Sequence, residues 1–142
     1  MPQYLLKYVK APVFIAQSFI DTYQQTNVMD IKCRAGSRST GDKCTNKELL
    51  YIKGFKSKMI ESIDNSLPEN SGYWLVSCGY HTITNHDYAW NVSIAETRTL
   101  RQTLFDWYDV VVLKLKKGKD FSSKIGKEVQ TQEYEFERSM AC

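Results

Sequence analysis

The sequence predicts an α/β fold in which parallel strands alternate with helices, and three observations lead there. Residues 12–20 and 73–78 are short apolar runs rich in β-branched and aromatic side chains, the composition of buried strands. Residues 45–65 and a second segment starting near Ser93 carry apolar residues at three- and four-residue steps, the spacing of helices with one buried face. The resulting order of strand, helix, strand, helix is that of parallel βαβ units.

Each element has its own local signal. Val13, Phe14, Ile15 and Ala16, then Phe19 and Ile20, form a nearly continuous apolar run, which suits a strand buried on both faces; Asp21 ends it. Thr45 and Glu48 open the first long helix with a capping box, a hydroxyl and a carboxylate three residues apart that satisfy otherwise free N–H groups. Leu49, Ile52, Phe55, Met59 and Ile63 mark its apolar face, and Gly54 inside it costs about 1 kcal/mol relative to alanine. Residues 67–72, Leu-Pro-Glu-Asn-Ser-Gly, are a turn-rich stop. Tyr73, Trp74, Leu75 and Val76 lead the second strand, and Gly79, Tyr80, His81 and Thr82 follow it. A second capping box, Ser93 with Glu96, predicts a helix whose buried face is Leu100, Leu104, Trp107, Tyr108 and Val111. Two strands do not make a stable open sheet, so the missing neighbours are expected upstream of Met1. Residues 1–112 thus read as the C-terminal portion of an incomplete α/β domain. Residues 113–142, with their lysines and then glutamates, read as a charged tail or surface helix.

Composition narrows the class of function. Nineteen basic and sixteen acidic residues among 142 leave a net charge of +3, too mild to argue for nucleic acid. An apolar content of 42% suits a globular chain, and no run reaches the length of a membrane span. Lys7 and Lys10 interrupt the first ten residues, so a secreted protein would carry its signal peptide upstream of this chain. Cys33 and Cys44 bracket a polar stretch bearing Gly and Ser, and either a disulfide or a zinc site could follow. The absence of a Cys-x-x-Cys and of a suitably spaced histidine favours the disulfide. Asn91-Val92-Ser93 is a glycosylation sequon.

The candidate chemistry lies beyond the strands. In open α/β sheets functional residues gather outside the carboxyl ends of the strands. Asp21 follows the first predicted strand and His81 the second. If the strands are parallel neighbours, the carboxylate could accept the Nδ1 proton of the imidazole and fix its tautomer. By spacing alone an aspartate after a strand is more often a turn former or helix cap, and a lone histidine more often structural. His86 and Asp87, adjacent on an extended chain, point to opposite faces and read as loop residues. Trp74 reads as core, and Trp90, in the His81 loop, as a candidate pocket residue.

A resemblance adds to this reading. Pro12-Val-Phe-Ile-Ala-Gln-Ser-Phe-Ile-Asp21-Thr-Tyr-Gln24, with Pro2-Gln-Tyr-Leu-Leu-Lys-Tyr-Val9 before it, resembles the segment around the acid of pectin acetylesterases and the related Notum-type carboxylesterases. Cys33-Arg34, Cys44 and then Gly54-Phe55 resemble that family's cysteine pair and the helix after it. Ser77-Cys78-Gly-Tyr-His81-Thr-Ile-Thr84, with Trp90 beyond, is similar to the segment bearing the family's histidine. The stretch from Ile94-Ala95-Glu96 to Asp106-Trp107-Tyr108 resembles the helix that follows. The likeness runs over residues 2–110, in matching order.

It implies the C-terminal part of an α/β-hydrolase-like fold, with Asp21 as the orienting acid and His81 as general base and then general acid. It implies a Cys33–Cys44 disulfide, and Cys78 and Cys142 as a second candidate pair. It implies a secreted or cell-wall carboxylesterase acting on an acetylated polysaccharide or another acyl ester, with no metal or cofactor. The chain departs from the family in three places. Thr82 and Ile83 stand where plant members commonly have Cys-Gln. A Cys- and Pro-rich C-terminus is not recognisable. No Gly-x-Ser-x-Gly or Gly-Cys-Ser-Ala-Gly-Gly occurs, so the serine is expected from an upstream part of the same domain, and the chain alone is expected to be inactive. The alternative is a non-catalytic binding module or a degenerate, truncated esterase.

Overall fold

The computed structural model describes residues 2–33, 44–77, 79–91, 98–113 and 127–129. Helix α1 (Pro2–Leu5) runs into a 3₁₀ turn, Leu6–Tyr8, and leads to strand β1 (Phe14–Ser18). A short helical turn begins at Thr22 and continues as the π-helical stretch Gln24–Val28. Helix α2 (Asn46–Asp64) and strand β2 (Gly72–Val76) follow. Two 3₁₀ turns, Ile83–Asn85 and Asp87–Asn91, precede helix α3 (Leu100–Trp107), which runs on as a π-helical turn, Tyr108–Val112. Strand β3 (Lys127–Val129) is the last described element.

The three strands form one sheet in the order β1-β2-β3, and both pairings are parallel. Phe14 lies opposite Gly72 and Ser18 opposite Val76, so β1 and β2 end level with each other. Successive side chains of a strand point to opposite faces, and here each face meets its own apolar cluster. Tyr73 and Leu75 join Phe19, Ile20, Ile31, Cys33 and the buried Ile52 and Ile63 of α2. Trp74 and Val76 join Ile83, Ala89 and Leu100 of α3 on the other face. The sheet is therefore a middle layer between two helices, the arrangement that an alternating strand–helix pattern implies.

Helix α2 has the bounds its pattern predicts. Thr45 caps it: its side chain accepts from the Glu48 N–H at 3.3 Å, while its own N–H donates to Glu48 Oε2 at 2.7 Å. The hydrogen bond from the Thr45 hydroxyl, then that from its N–H, hold the Glu48 carboxyl below the usual carboxylate range. Cys33 and Cys44 are joined in a disulfide, which closes the zinc alternative at that pair. It ties the segment after β1 to the start of α2.

The structure corrects three expectations. Residues Phe14–Gln17 of β1 are half-buried rather than buried on both faces, because among the described strands β1 pairs only with β2. Helix α3 begins at Leu100 rather than running through from Ser93: Thr99 is extended (φ −70°, ψ 161°) and caps the helix in a box with Gln102. This box opens a helix that buries Leu100 and Thr103 completely. Ser93 and Glu96 themselves lie outside the described residues. Finally, Lys127–Val129 is a strand beside β2, where a charged tail or surface helix was expected. Cys78 and Cys142 lie outside the described residues.

Candidate active site

The level ends of β1 and β2 determine the site. Asp21 stands three residues past Ser18, and His81 five past Val76, so both emerge at the carboxyl edge of the parallel pair. The sheet pairing extends one step further, through a 2.9 Å bond from the Phe19 N–H to the Val76 carbonyl. The chain then turns at Ile20, where the N–H is taken by Ser18 Oγ at 3.1 Å. Buried Gln25 holds the turn from below, its side-chain amide donating to the Ile20 carbonyl at 2.6 Å.

Asp21 is only 3% exposed, and its carboxylate is fully engaged. Oδ1 accepts the Gln24 N–H at 3.0 Å, which makes Asp21 the N-cap of the helical turn beginning at Thr22. Oδ2 receives the Gln17 side-chain amide at 3.4 Å. His81 Nδ1 lies 3.0 Å from Oδ2 and 3.2 Å from Oδ1. An ionised carboxylate can only accept, so beside it a neutral imidazole is placed to donate from Nδ1. Nε2 is then the basic nitrogen, on a side chain that is 48% exposed. Asp21 thus caps the turn and contacts the His81 ring with the same carboxylate.

Other groups confine the histidine. The Tyr23 ring, one residue beyond Thr22, stacks on the His81 imidazole with centroids 4.5 Å apart and planes at 22°. Thr82 takes a left-handed conformation (φ 53°, ψ 57°), which a β-branched residue rarely adopts, and its hydroxyl donates to the His81 carbonyl at 2.7 Å. His86 Nε2–H donates to the same carbonyl at 3.3 Å, so His86 braces the His81 loop. The sequence reading of His86 and Asp87 as loop residues agrees with their positions, but the contact from His86 to His81 was not foreseen. Gln17 and Tyr23 were also missed; an alternating strand face points Gln17 toward the site, but nothing local to the sequence announces the Tyr23 stack.

Trp90 is half-buried against the Trp74 and Leu100 cluster, and its indole N–H donates to the Thr84 carbonyl at 3.0 Å. Asn91, the sequon asparagine, is exposed at the end of its 3₁₀ turn. An open depression of about 590 Å³, lined by Lys10, Pro12, Glu69, Asn70 and Val110 to Val112, lies at the amino end of the strands, away from Asp21 and His81. Among the described residues no three His, Cys, Asp or Glu gather as a metal would need, and no helix is long and apolar enough to cross a membrane.

A buried carboxylate beside Nδ1 of a half-exposed imidazole is a geometry capable of proton transfer. The chain is 26% identical over 117 residues to Pectin acetylesterase 5 of Arabidopsis thaliana, an alignment covering 75% of this chain and 27% of that protein. The chain thus spans about a quarter of the length of this curated relative. No solved structure matches it significantly. The family profile described as Pectinacetylesterase matches residues 1–121, most of the sequence, and the chain belongs to the pectinacetylesterase family.

Proposed function

We propose that this chain contributes the acid and the base of a serine carboxylesterase of α/β-hydrolase type, which removes acyl groups, acetyl first among them, from a polysaccharide outside the cell. The observation that carries the reading is the contact of His81 Nδ1 with the buried Asp21 carboxylate at 3.0 Å, at the carboxyl edge of two parallel strands. Membership of the family supports the reaction class. The Cys33–Cys44 disulfide supports an oxidising compartment.

In this proposal a serine hydroxyl approaches His81 Nε2 and attacks the ester carbonyl as the imidazole takes its proton. Asp21 stabilises the imidazolium without becoming protonated itself. The imidazolium then returns the proton to the departing sugar oxygen, leaving an acyl-enzyme. Water, deprotonated by the same Nε2, releases the carboxylic acid and restores the serine. The 142 residues contain no Gly-x-Ser-x-Gly, so the proposal draws the serine and the oxyanion-stabilising N–H groups from outside them. That same absence favours a second reading, a domain that binds the substrate without hydrolysing it.

Two experiments test the proposal. A fluorophosphonate probe should leave the 142-residue chain unlabelled at serine; a labelled serine would show that the nucleophile lies within it. In a full-length protein joining this chain to a serine-bearing segment of the family, His81→Ala should collapse acetate release from acetylated pectin. Full activity in that variant would leave only the binding reading.

A further inference from the structure

The loop that carries His81 gathers a set of rings that the proton transfer does not use. Tyr80 is half-buried and packs on the cluster of Trp74, Val76 and Leu100 beneath it. The His86 ring lies 5.1 Å from Tyr80 and 5.5 Å from Tyr88, and Tyr80 meets Tyr88 edge-on at 5.3 Å. These rings are continuous with the candidate site, because His86 also bonds the His81 carbonyl and Tyr23 stacks on the His81 ring. Tyr88 is 45% exposed and Tyr23 is 52% exposed.

The surface is pre-formed. Bonds from the N–H groups of Asn85, His86 and Ala89 to the carbonyls of Thr82, Ile83 and His86 hold the loop in successive turns. Trp90 ties it again at Thr84, and buried Ile83 and Ala89 fix its underside. A ligand lying on rings already locked in place loses little to side-chain ordering, and tyrosine offers a large, stiff contact area with a polar rim.

The chemistry of this surface selects its ligand. Ring faces carry the negative lobe of the aromatic quadrupole and attract polarised C–H bonds. One face of a pyranose presents such C–H bonds together, and its hydroxyls can meet the phenol and imidazole groups at the rim. An acyl chain would favour an enclosed apolar cavity instead. We propose that Tyr80, His86 and Tyr88, with Tyr23 beside them on His81, form a sugar-binding subsite that seats one pyranose ring of the polysaccharide next to the residue bearing the ester. The assignment of the ligand rests on the polysaccharide-deacylase reading, but occupancy of the subsite requires no turnover.

The test is an NMR titration of the 142-residue chain with acetylated pectin oligosaccharides. The ring signals of Tyr23, Tyr80, His86 and Tyr88 should shift saturably, whereas the exposed rings of Tyr51 and Phe105 should not. Tyr88→Leu should weaken binding about fivefold, and Tyr88→Phe, which keeps the ring, should bind within about twofold of the parent. Absence of saturable shifts at these four residues in the unmodified chain would overturn the subsite. So would a natively folded Tyr88→Leu that binds as the parent does. If Tyr88→Leu fails to fold, titration of the unmodified chain and of Tyr88→Phe still supports or overturns the subsite. This chain is proposed to lack the serine, so a failed titration is a separate result from retained hydrolysis in full-length His81→Ala.

Discussion

The two ends of the β1–β2 pair are built from different materials. At the amino end neutral groups close the structure: the Val13 N–H meets Ser71 Oγ at 3.0 Å, and the Trp107 indole N–H meets the Asn70 carbonyl at 2.8 Å. At the carboxyl end a carboxylate is buried beside an imidazole that stays half open to solvent. Both ends contain a residue in the left-handed region, Asn70 at φ 62° and Thr82 at φ 53°. Asparagine tolerates that conformation, because its short side chain can bond locally; threonine, branched at Cβ, does not. The amino end is assembled from residues that suit their geometry. The carboxyl end keeps a buried charge and a strained backbone, features that stability alone would not select and that cluster at sites of function.

Five substitutions or conditions bear on that contrast, the largest effect first. Asp21→Asn, in the full-length context, should lower the rate of ester hydrolysis by about 10⁴-fold by leaving His81 in the wrong tautomer. Acetate release at near-parental rates would reduce Asp21 to its capping role. Replacing Cys33 and Cys44 together by serine should destabilise the chain by about 3 kcal/mol in denaturant unfolding. Hydrogen exchange should quicken first around Phe19, Ile20 and Ile31, which pack with Cys33, and less at the amino end; uniform quickening would erase the distinction. Exchanging the two left-handed positions sharpens it further. Thr82→Asn should stabilise the fold by about 1 kcal/mol, and Asn70→Thr should destabilise it by a similar amount. Thermal melts in which both variants are neutral would show that backbone strain does not separate the two ends.

The smallest effect concerns pH. Burial, then the charge of Asp64 and the 3.2 Å hydrogen bond from Tyr73 to that carboxylate, push the Tyr73 hydroxyl up to about 12. A phenol whose pKa is raised on folding contributes stability below its ordinary value near 10, and that contribution fades as pH rises from about 10 to 12. Tyr73→Phe should flatten this alkaline decline, measured by denaturant midpoints across that range. An unchanged slope would mean that folding does not raise the Tyr73 hydroxyl.

Much of this organisation was legible in the sequence, for physical reasons. A capping box and a 3.6-residue period are local signals, so a helix from Thr45 to about Asn65 could be read without knowing its neighbours, and α2 runs from Asn46 to Asp64. The strands announced themselves by composition, and their parallel order brought Asp21 and His81 to one edge. What could not be read depended on contacts distant in sequence. The start of α3 at Thr99 is supported by tertiary contacts, including a 3.4 Å bond from the Trp74 indole to the Arg98 carbonyl, 24 residues away. The strand at Lys127–Val129 exists because β2 offers an edge, not because lysine and glutamate favour strands. The Tyr23 stack and the His86 brace depend on where two loops meet, and residue type alone does not reveal that.

The central claim concerns one proton. Long-range ¹H–¹⁵N spectra of the chain with labelled histidine report which ring nitrogen of His81 carries it. A neutral His81 protonated at Nδ1 and bare at Nε2 is expected, with that preference lost in Asp21→Ala. A proton found on Nε2, or a spectrum indifferent to removal of Asp21, would contradict it.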